Sequence, residues 1–413
     1  MKQPFSYSDG KLFCDQVSLE EIAAACGTPC YVYSARGVLN RYQAYDEAFG
    51  RLPHMVCYAV KANSNLSLLR LLAHAGAGFD IVSGGELFRV LQAGGTPSKI
   101  VFSGVGKTSD EIEYALNCRI HSFNCESEAE LDLINELALK RGLRARIALR
   151  VNPDVDAATH PYISTGLKDN KFGVDISEAE RVYEYAQSLP GLAPESVSCH
   201  IGSQILDPAP VMEAVDRMVA LAGRLQQRGL AIRNLDLGGG LGIAYQPGHS
   251  TPLIPAFIEE MKRRVEELGL TIMIEPGRSL VGECGVLLSR VIHRKKNSAK
   301  EFVVIDAAMN DLLRPALYQA HHEILPVVQS SRGQITADVV GPVCETGDFL
   351  AKNRTLPEVE SGELVAIMSA GAYGFVMSSN YNSRPRVAEV LVEDSRWRIV
   401  RQREKFEDLV RGE

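Results

Sequence analysis

Three groups that could do chemistry each follow an apolar, strand-like run of this sequence. HMVCYAV is followed by Lys61, LDL by the glycines Gly238–Gly240, and IMI by Glu275. A lysine amine attacks carbonyl carbon when burial favours its neutral form. Successive glycines let backbone N–H groups approach an anion, and a buried carboxylate needs a cation or a hydrogen-bond donor. Together they predict a site for a ligand that carries an aldehyde, a phosphate and a protonated ring nitrogen.

Each group also has an ordinary structural interpretation. Lys61 could extend its amine to the surface from a buried stem, and Gly238–Gly240 could form a tight turn. His200, in the run VSCHIGSQ with Gly202 and Ser203, could be a hydrogen-bonded structural histidine. The coincidence of amine, glycines and carboxylate favours the functional interpretation. Their partners match the aldehyde, phosphate and ring nitrogen of pyridoxal 5′-phosphate.

These residues must be positioned by strands and helices, which alternate along the sequence from about residue 36 to 280. A helix is predicted from Arg36, and another begins at Ser127, where Glu130 completes a capping box and Gly142 supplies the stop. Eight strands are predicted, at His54–Val60, Gly78–Ser83, Lys99–Ser103, Ile120–Cys125, Arg144–Val151, Ser196–Gly202, Ile232–Leu237 and Thr271–Glu275.

Eight strands alternating with helices over about 250 residues predict an α/β fold, a (β/α)8 TIM barrel, at residues 31–280. A doubly wound open sheet is the alternative, although it more often has about six strands. In a barrel the active site lies at the carboxyl ends of the strands, where Lys61, His200, Gly238–Gly240 and Glu275 fall. Beyond residue 281 the pattern becomes mostly strand and turn. We therefore expect a mostly β domain, sandwich-like or barrel-like, formed by residues 281–413 with residues 1–30.

Composition narrows the class of protein. The 413 residues hold 51 acidic and 44 basic side chains, a net charge of −7, which argues against nucleic acid or an anionic membrane as partner. No run is apolar enough to span a bilayer, and no signal peptide is visible. The nine cysteines lack a CxxC pair or zinc-ligand spacing, so no metal is expected and free thiols in the cytoplasm are the simpler interpretation.

Several segments resemble the fold-type III pyridoxal-phosphate decarboxylases, over nearly the whole chain. These are YAVKAN at Tyr58–Asn63, HIGSQ at His200–Gln204, DLGGGLG at Asp236–Gly242 and EPGR at Glu275–Arg278. Others narrow the resemblance to the diaminopimelate decarboxylases within that family: FDIVSGGEL at Phe79–Leu87, LLRPALY at Leu312–Tyr318, GPVCETGD at Gly341–Asp348 and AGAYGFVMSSNYNSRPR at Ala370–Arg386. The segments are specific in combination, although no single one would be.

The resemblance implies how pyridoxal 5′-phosphate is held. Lys61 would carry it as a Schiff base, His200 would stack on its ring, and Glu275 would face its ring nitrogen. Asp80 and Arg150 would support these groups. The remaining implied cofactor contacts are Ser203, Gly238, Gly239, Gly240, Pro276, Gly277, Arg278 and Tyr373.

The resemblance also implies the reaction, decarboxylation of meso-2,6-diaminopimelate to L-lysine and carbon dioxide, the last step of lysine biosynthesis by the diaminopimelate pathway. Cys344 would donate the proton to the reacting carbon, reaching the site from the other subunit of a homodimer. The implied substrate contacts are Arg278, Arg314, Tyr318, Glu345 and Tyr373.

Charge supports the choice of substrate. Diaminopimelate has a second amino-acid centre, whose carboxylate suits Arg278 and Arg314 and whose ammonium suits Glu345. An arginine pair would repel the distal ammonium of ornithine or lysine. One of these arginines could instead serve an ion pair between domains.

Three other functions remain open. A decarboxylase of the same fold could act on carboxynorspermidine, ornithine or arginine, and an amino-acid racemase also combines such a barrel with a β domain. A non-catalytic pyridoxal-phosphate-binding protein is the third. Such proteins are usually single barrels, whereas this chain has a second domain with Cys344, Glu345 and Tyr373.

Overall fold

The computed structural model describes residues 3–156, 171–246 and 248–413. The chain divides into two compact units. The barrel unit comprises Arg41–Ile243 and Ser250–Ser279. The β unit comprises Met1–Asn40, Ala244–His249 and Leu280–Glu413.

The barrel unit is a closed barrel of eight parallel strands, which confirms the predicted fold. Each strand pairs with the next one in the chain, and the eighth pairs with the first, with Met273 opposite Met55. The barrel strands are His54–Ala59, Gly78–Ile81, Ile100–Phe102, Ser122–Cys125, Ala145–Asn152, Leu192–Ser198, Asn234–Asp236 and Thr271–Ile274. A two-residue strand, Val174–Asp175, pairs with the fifth.

Helices alternate with the barrel strands. Ala35–Phe49 precedes the first strand. The helices that follow the strands are Leu66–His74, Gly84–Gln92, Ser109–Cys118, Glu128–Lys140, Ala179–Ser188, Ala209–Gln227, Ile254–Val265 and the short Arg278–Val281. Ser127 caps its helix as expected by accepting from the Glu130 N–H. The Glu130 carboxylate, however, accepts from the Glu126 N–H and from Lys107 instead of closing a capping box.

The sixth barrel strand differs from its prediction at both ends. It begins at Leu192, because a bulge between Pro194 and Ser196 accommodates a proline that has no N–H to donate to a neighbouring strand. It ends at Ser198, so His200 lies in the following loop and not within the strand. In this loop the direction of the imidazole is not set by the alternation of side chains along a strand.

The β unit is built from strands of both chain ends, as the prediction of a mostly β second domain required. In its larger sheet, Cys30–Ser34 lies between Gly285–Lys296 and Ala388–Glu393. The other strands of that sheet are Glu301–Ile305, Ile324–Pro326, Gln334–Val340, Phe349–Pro357, Leu364–Ile367 and Arg396–Arg401. A three-stranded sheet holds Phe5–Ser8, Lys11–Cys14 and Val17–Ser18.

Three helices of the β unit are Leu19–Cys26, Arg314–Tyr318 and Phe406–Leu409. Its core brings together apolar side chains from the amino-terminal strands and from the strands after residue 285, such as Leu12, Val32, Val286 and Val390. Within the described parts of the chain, none of the helices combines the length and the apolar character that a membrane crossing requires.

Candidate active site

Lys61 and Asp80 form an ion pair at the carboxyl ends of the first two barrel strands. Lys61 lies in the 3-10 turn Val60–Ala62, directly after the first strand. Its Nζ is 2.9 Å from Asp80 Oδ2; the lysine side chain is 37% exposed and the aspartate side chain is fully buried. The second carboxylate oxygen of Asp80 has no hydrogen-bond partner among the described residues. The amine is thus accessible and held in direction by a buried anion.

Glu275 follows the eighth strand and is buried with a second carboxyl group, that of Asp236. The Asn124 amide bridges the two, 3.1 Å from Glu275 Oε1 and 3.1 Å from Asp236 Oδ2. Burial, then the charges of Asp236 and Asp80, raise the pKa of Glu275 well above its ordinary value. Burial likewise raises the pKa of Asp236. The two carboxyl groups are hydrogen-bonded to each other, and a protonated ring nitrogen beside Glu275 would supply a cation that favours the ionised carboxylate.

The glycines Gly238–Gly240 are required by close packing between strand ends. A Cβ on Gly239 would lie 2.2 Å from the Glu275 carbonyl oxygen, and one on Gly238, at φ +66°, would lie 2.5 Å from the Cys199 carbonyl oxygen. The Gly238 N–H donates to Asp236 Oδ1, and the Gly239 N–H donates to His200 Nδ1 at 3.2 Å. The N–H groups of Gly238 and Gly239 thus have partners inside the protein. Of the three glycines, Gly240 is therefore the one whose N–H is expected to donate to an anion.

His200 is held as a neutral imidazole. Its Nδ1 accepts the Gly239 N–H, so this nitrogen carries no proton. Burial, then the charges of Arg150 and Lys61, lower the pKa of His200 well below its ordinary value. Arg150 also donates to the His200 carbonyl oxygen at 3.5 Å and to Glu126 at 3.2 Å. A neutral, oriented ring of this kind suits stacking on a flat heterocycle.

Arg278 also belongs to the barrel unit. It is buried, and its Nη2 lies 3.1 Å from Ser203 Oγ. The two residues before it join the eighth strand to the first. The Pro276 carbonyl accepts from the Ala59 N–H, and a Cβ on Gly277 would lie 3.1 Å from the Ala59 Cβ. A cation and a hydroxyl therefore lie at the carboxyl ends of the barrel strands, as Lys61 and Glu275 do, and both can donate to an anion.

The β unit holds the remaining predicted residues. Cys344 and Glu345 lie adjacent and exposed. The Cys344 N–H donates to Asn382 Oδ1 at 2.8 Å, and the Tyr381 hydroxyl donates to Glu345 Oε2 at 2.9 Å. This short segment therefore holds the backbone of the cysteine and the carboxylate of the glutamate.

Arg314, Tyr318 and Tyr373 lie elsewhere in the β unit. Arg314 is buried at the start of the helix Arg314–Tyr318, and Tyr318 is half-buried at its end. Tyr373 is also half-buried and has φ +56°, a left-handed backbone that a bulky residue rarely adopts. Such strain is concentrated at functional positions.

Sequence reasoning missed several residues that the structure adds. Asp236 and Asn124 are polar and stand at the ends of the seventh and fourth barrel strands, so the same rule that selected Glu275 could have found them. Tyr381 and Asn382 carried no such signal. Their contacts depend on the left-handed backbone of Asn382, at φ +57°, which a sequence does not show.

The sequence is similar to known proteins along nearly its full length. Residues 35–282 match the family of the pyridoxal-dependent decarboxylase, pyridoxal binding domain. The diaminopimelate decarboxylase of Pseudomonas aeruginosa is 53% identical over 99% of this chain and 98% of its own. That of Aquifex aeolicus is 51% identical over 98% and 96%.

A solved structure agrees with these similarities. The diaminopimelate decarboxylase of Helicobacter pylori, complexed with L-lysine, superposes with a TM-score of 0.92 at 46% identity. The similarity covers 95% of this chain and 98% of that one.

Proposed function

The chain belongs to the pyridoxal-dependent decarboxylases and among them to the diaminopimelate decarboxylases, and on that premise we propose how its residues act. It is a carboxy-lyase that uses pyridoxal 5′-phosphate to convert meso-diaminopimelate to L-lysine and carbon dioxide. The observation that carries the assignment to particular residues is the accessible Lys61 amine beside the buried Asp80, on the same barrel ends as the buried Glu275.

The cofactor, when bound, supplies the electron sink that loss of carbon dioxide requires. Lys61 would hold it covalently, and the buried Glu275 would accept from its ring nitrogen. His200 would pack on its ring as a neutral imidazole. Its phosphate would be held by Ser203, Gly240 and the backbone of Gly277–Arg278, with Tyr373, which leaves the Arg278 guanidinium for the substrate.

The proton that replaces carbon dioxide comes from Cys344. A thiol is a competent acid for carbon, and this one is exposed, so it can meet a substrate without rearrangement of a core. Tyr381 and Asn382 fix the segment that carries it.

Substrate selection follows from charge. Arg278 and Arg314 bind the carboxylate of the centre that does not react, because a guanidinium pairs with both carboxylate oxygens. Glu345 binds the ammonium of that centre, and Tyr318 and Tyr373 line the site. The product L-lysine keeps the carboxylate of that centre, so product and substrate share this contact.

We further propose that the enzyme works as a homodimer in the cytoplasm, with Cys344 and Glu345 supplied to the site of the partner. The exposure of both residues in a single chain supports this arrangement, and the free thiols fit a reducing compartment. Mixing inactive Lys61→Ala and Cys344→Ala chains tests it. Random pairing gives mixed dimers with one intact site of two, so about a quarter of wild-type activity should return. No recovery from freely exchanging dimers would contradict shared sites.

The reaction itself is tested by carbon dioxide release from meso-diaminopimelate, with lysine identified as product. Ornithine, arginine and carboxynorspermidine are assayed alongside. Turnover of diaminopimelate alone is expected. If one of these other compounds is turned over and diaminopimelate is not, the proposed cofactor site is retained, but the proposed roles of Arg278 and Arg314 are wrong.

A further inference from the structure

Arg314 is held from two directions by side chains of the β unit, those of the buried His322 and the half-buried Tyr245. Its Nη1 lies 2.8 Å from Nε2 of His322, a histidine that is fully buried. Its guanidinium carbon lies 4.5 Å from the centre of the Tyr245 ring. Tyr245 in turn meets His322 edge to face, with ring centres 5.2 Å apart. One contact fixes an edge of the guanidinium plane and the other fixes its face.

The hydrogen bonds of His322 assign its protons. Arginine has only donors, so Nε2 must accept from it and can carry no proton. The other nitrogen, Nδ1, lies 2.8 Å from the Met368 carbonyl oxygen, which only accepts, so Nδ1 must donate. The backbone of His322 is held as well, because Arg354 Nη1 donates to its carbonyl oxygen at 2.8 Å. His322 is therefore a neutral acceptor of fixed direction facing Arg314.

We propose that His322, with Tyr245, is a positioning residue for substrate recognition: it aims the Arg314 guanidinium at the carboxylate that substrate and product share. The proposal rests on the proposed function, which assigns that carboxylate to Arg314. Neither residue touches the reacting atoms, so both act through the arginine.

The physical reason is pre-organisation. Arginine loses much rotamer freedom when it is ordered, and a bidentate carboxylate contact requires its plane to be set correctly. A guanidinium that is already oriented by His322 and Tyr245 loses that freedom during folding and not during substrate binding. Removing the acceptor should therefore weaken binding of the substrate more than it slows the chemical step.

Three substitutions of His322 separate this role from simple packing. His322→Gln places an oxygen near the position of Nε2 and can still accept from Arg314. His322→Asn can reach Met368 but not Arg314, and His322→Leu loses both contacts. Each variant, loaded with cofactor, is assayed for KM and kcat with meso-diaminopimelate and for inhibition by L-lysine. Cadaverine, which has no carboxylate, serves as the control inhibitor.

We expect KM for diaminopimelate and the inhibition constant of L-lysine to rise together by about tenfold or more in the Leu and Asn variants. Inhibition by cadaverine and kcat should change much less, and the Gln variant, which keeps the acceptor, should stay near wild type. If His322→Leu does not fold, the comparison of His322→Gln with His322→Asn tests the proposal. Equal constants for Gln and Asn, or a wild-type KM in the Leu variant, would overturn the positioning role. Failure of the wild type to decarboxylate diaminopimelate would instead overturn the proposed function.

Discussion

Nζ of Lys61 lies 2.9 Å from Oδ2 of Asp80, an accessible amine beside a fully buried carboxylate. The lysine stands in a turn after one barrel strand and the aspartate lies within the next, so the barrel itself sets the distance. The carboxylate fixes where the amine points without occupying its exposed side. The proposed attachment of the cofactor to Lys61 depends on this pair.

Asp80→Asn should lower kcat by about a hundredfold, because a displacement of roughly an ångström at a reacting group has that effect. The carboxamide keeps the size of the side chain and removes its charge. Steady-state rates are measured on protein whose cofactor content is determined by absorbance. The loss of kcat should be present at full cofactor loading. Asp110→Asn, an exposed aspartate in the first turn of its helix, is the matched control and should stay at wild-type rate. A wild-type kcat in Asp80→Asn would remove the orienting role.

Selective alkylation should identify Cys344. It is the exposed member of nine free cysteines, and burial raises the pKa of Cys14, Cys57 and Cys125 well above the ordinary range. Limiting iodoacetamide should therefore label Cys344 and remove activity, with protection by L-lysine. Cys344→Ala should lose about 10² to 10⁴ in kcat as the acid is removed, whereas Cys26→Ala should not. Full activity after complete labelling of Cys344 would exclude it as the proton donor.

Arg314→Leu should raise KM for meso-diaminopimelate by about 10 to 100-fold, the worth of a charged hydrogen-bond pair. The comparison variant is Arg332→Leu, because Arg332 is exposed and pairs with Glu363 far along the chain. It should leave KM unchanged. Unaltered kinetics of Arg314→Leu would show that the arginine does not bind the distal carboxylate.

Glu86 should make the protein less stable as the solution becomes more alkaline. Burial raises the pKa of Glu86 from 4.5 to about 7, so the folded protein binds this proton more tightly than the unfolded chain. The penalty for ionising it is absent below about pH 4.5 and complete above about pH 7.

Glu86→Gln removes this titration, so its gain in melting temperature over wild type should be larger at pH 8 than at pH 5. Thermal unfolding at both values, in the same buffer ions, gives the difference. The exposed Glu136→Gln should show no such pH-dependent gain, since Glu136 lies at the surface and pairs there with Lys140. Equal shifts at pH 5 and pH 8 for Glu86→Gln would contradict the raised pKa.

Most of the barrel could be predicted from the sequence because each strand is a short apolar run and each intervening helix has its own periodicity. Strand ends were less certain. Pro194 lies before the predicted strand Ser196–Gly202, and only the register of the neighbouring strands shows that a bulge admits it. The helix Leu19–Cys26 was not predicted, although Ser18 at its start, Glu21 three residues later and Gly27 at its end are ordinary helix start and stop signals.

The site residues could be predicted only where a charged side chain directly follows an apolar run. Lys61 and Glu275 end buried runs and so attract notice. Asp236 and Asn124 act through a shared hydrogen-bond network, and His322 acts through Arg314, 8 residues earlier in the chain, by a contact that the fold creates. The sequence around these residues does not indicate a function. Their roles follow from the directions of their side chains in the folded structure.

The most direct test of the account is to locate the cofactor bond. The cofactor-loaded protein is reduced with borohydride, digested and mapped by mass spectrometry, with Lys61→Ala treated in parallel. The account predicts a pyridoxyl adduct on Lys61 and none in the Lys61→Ala protein. An adduct on another lysine in the wild type, with Lys61 unmodified, would contradict it.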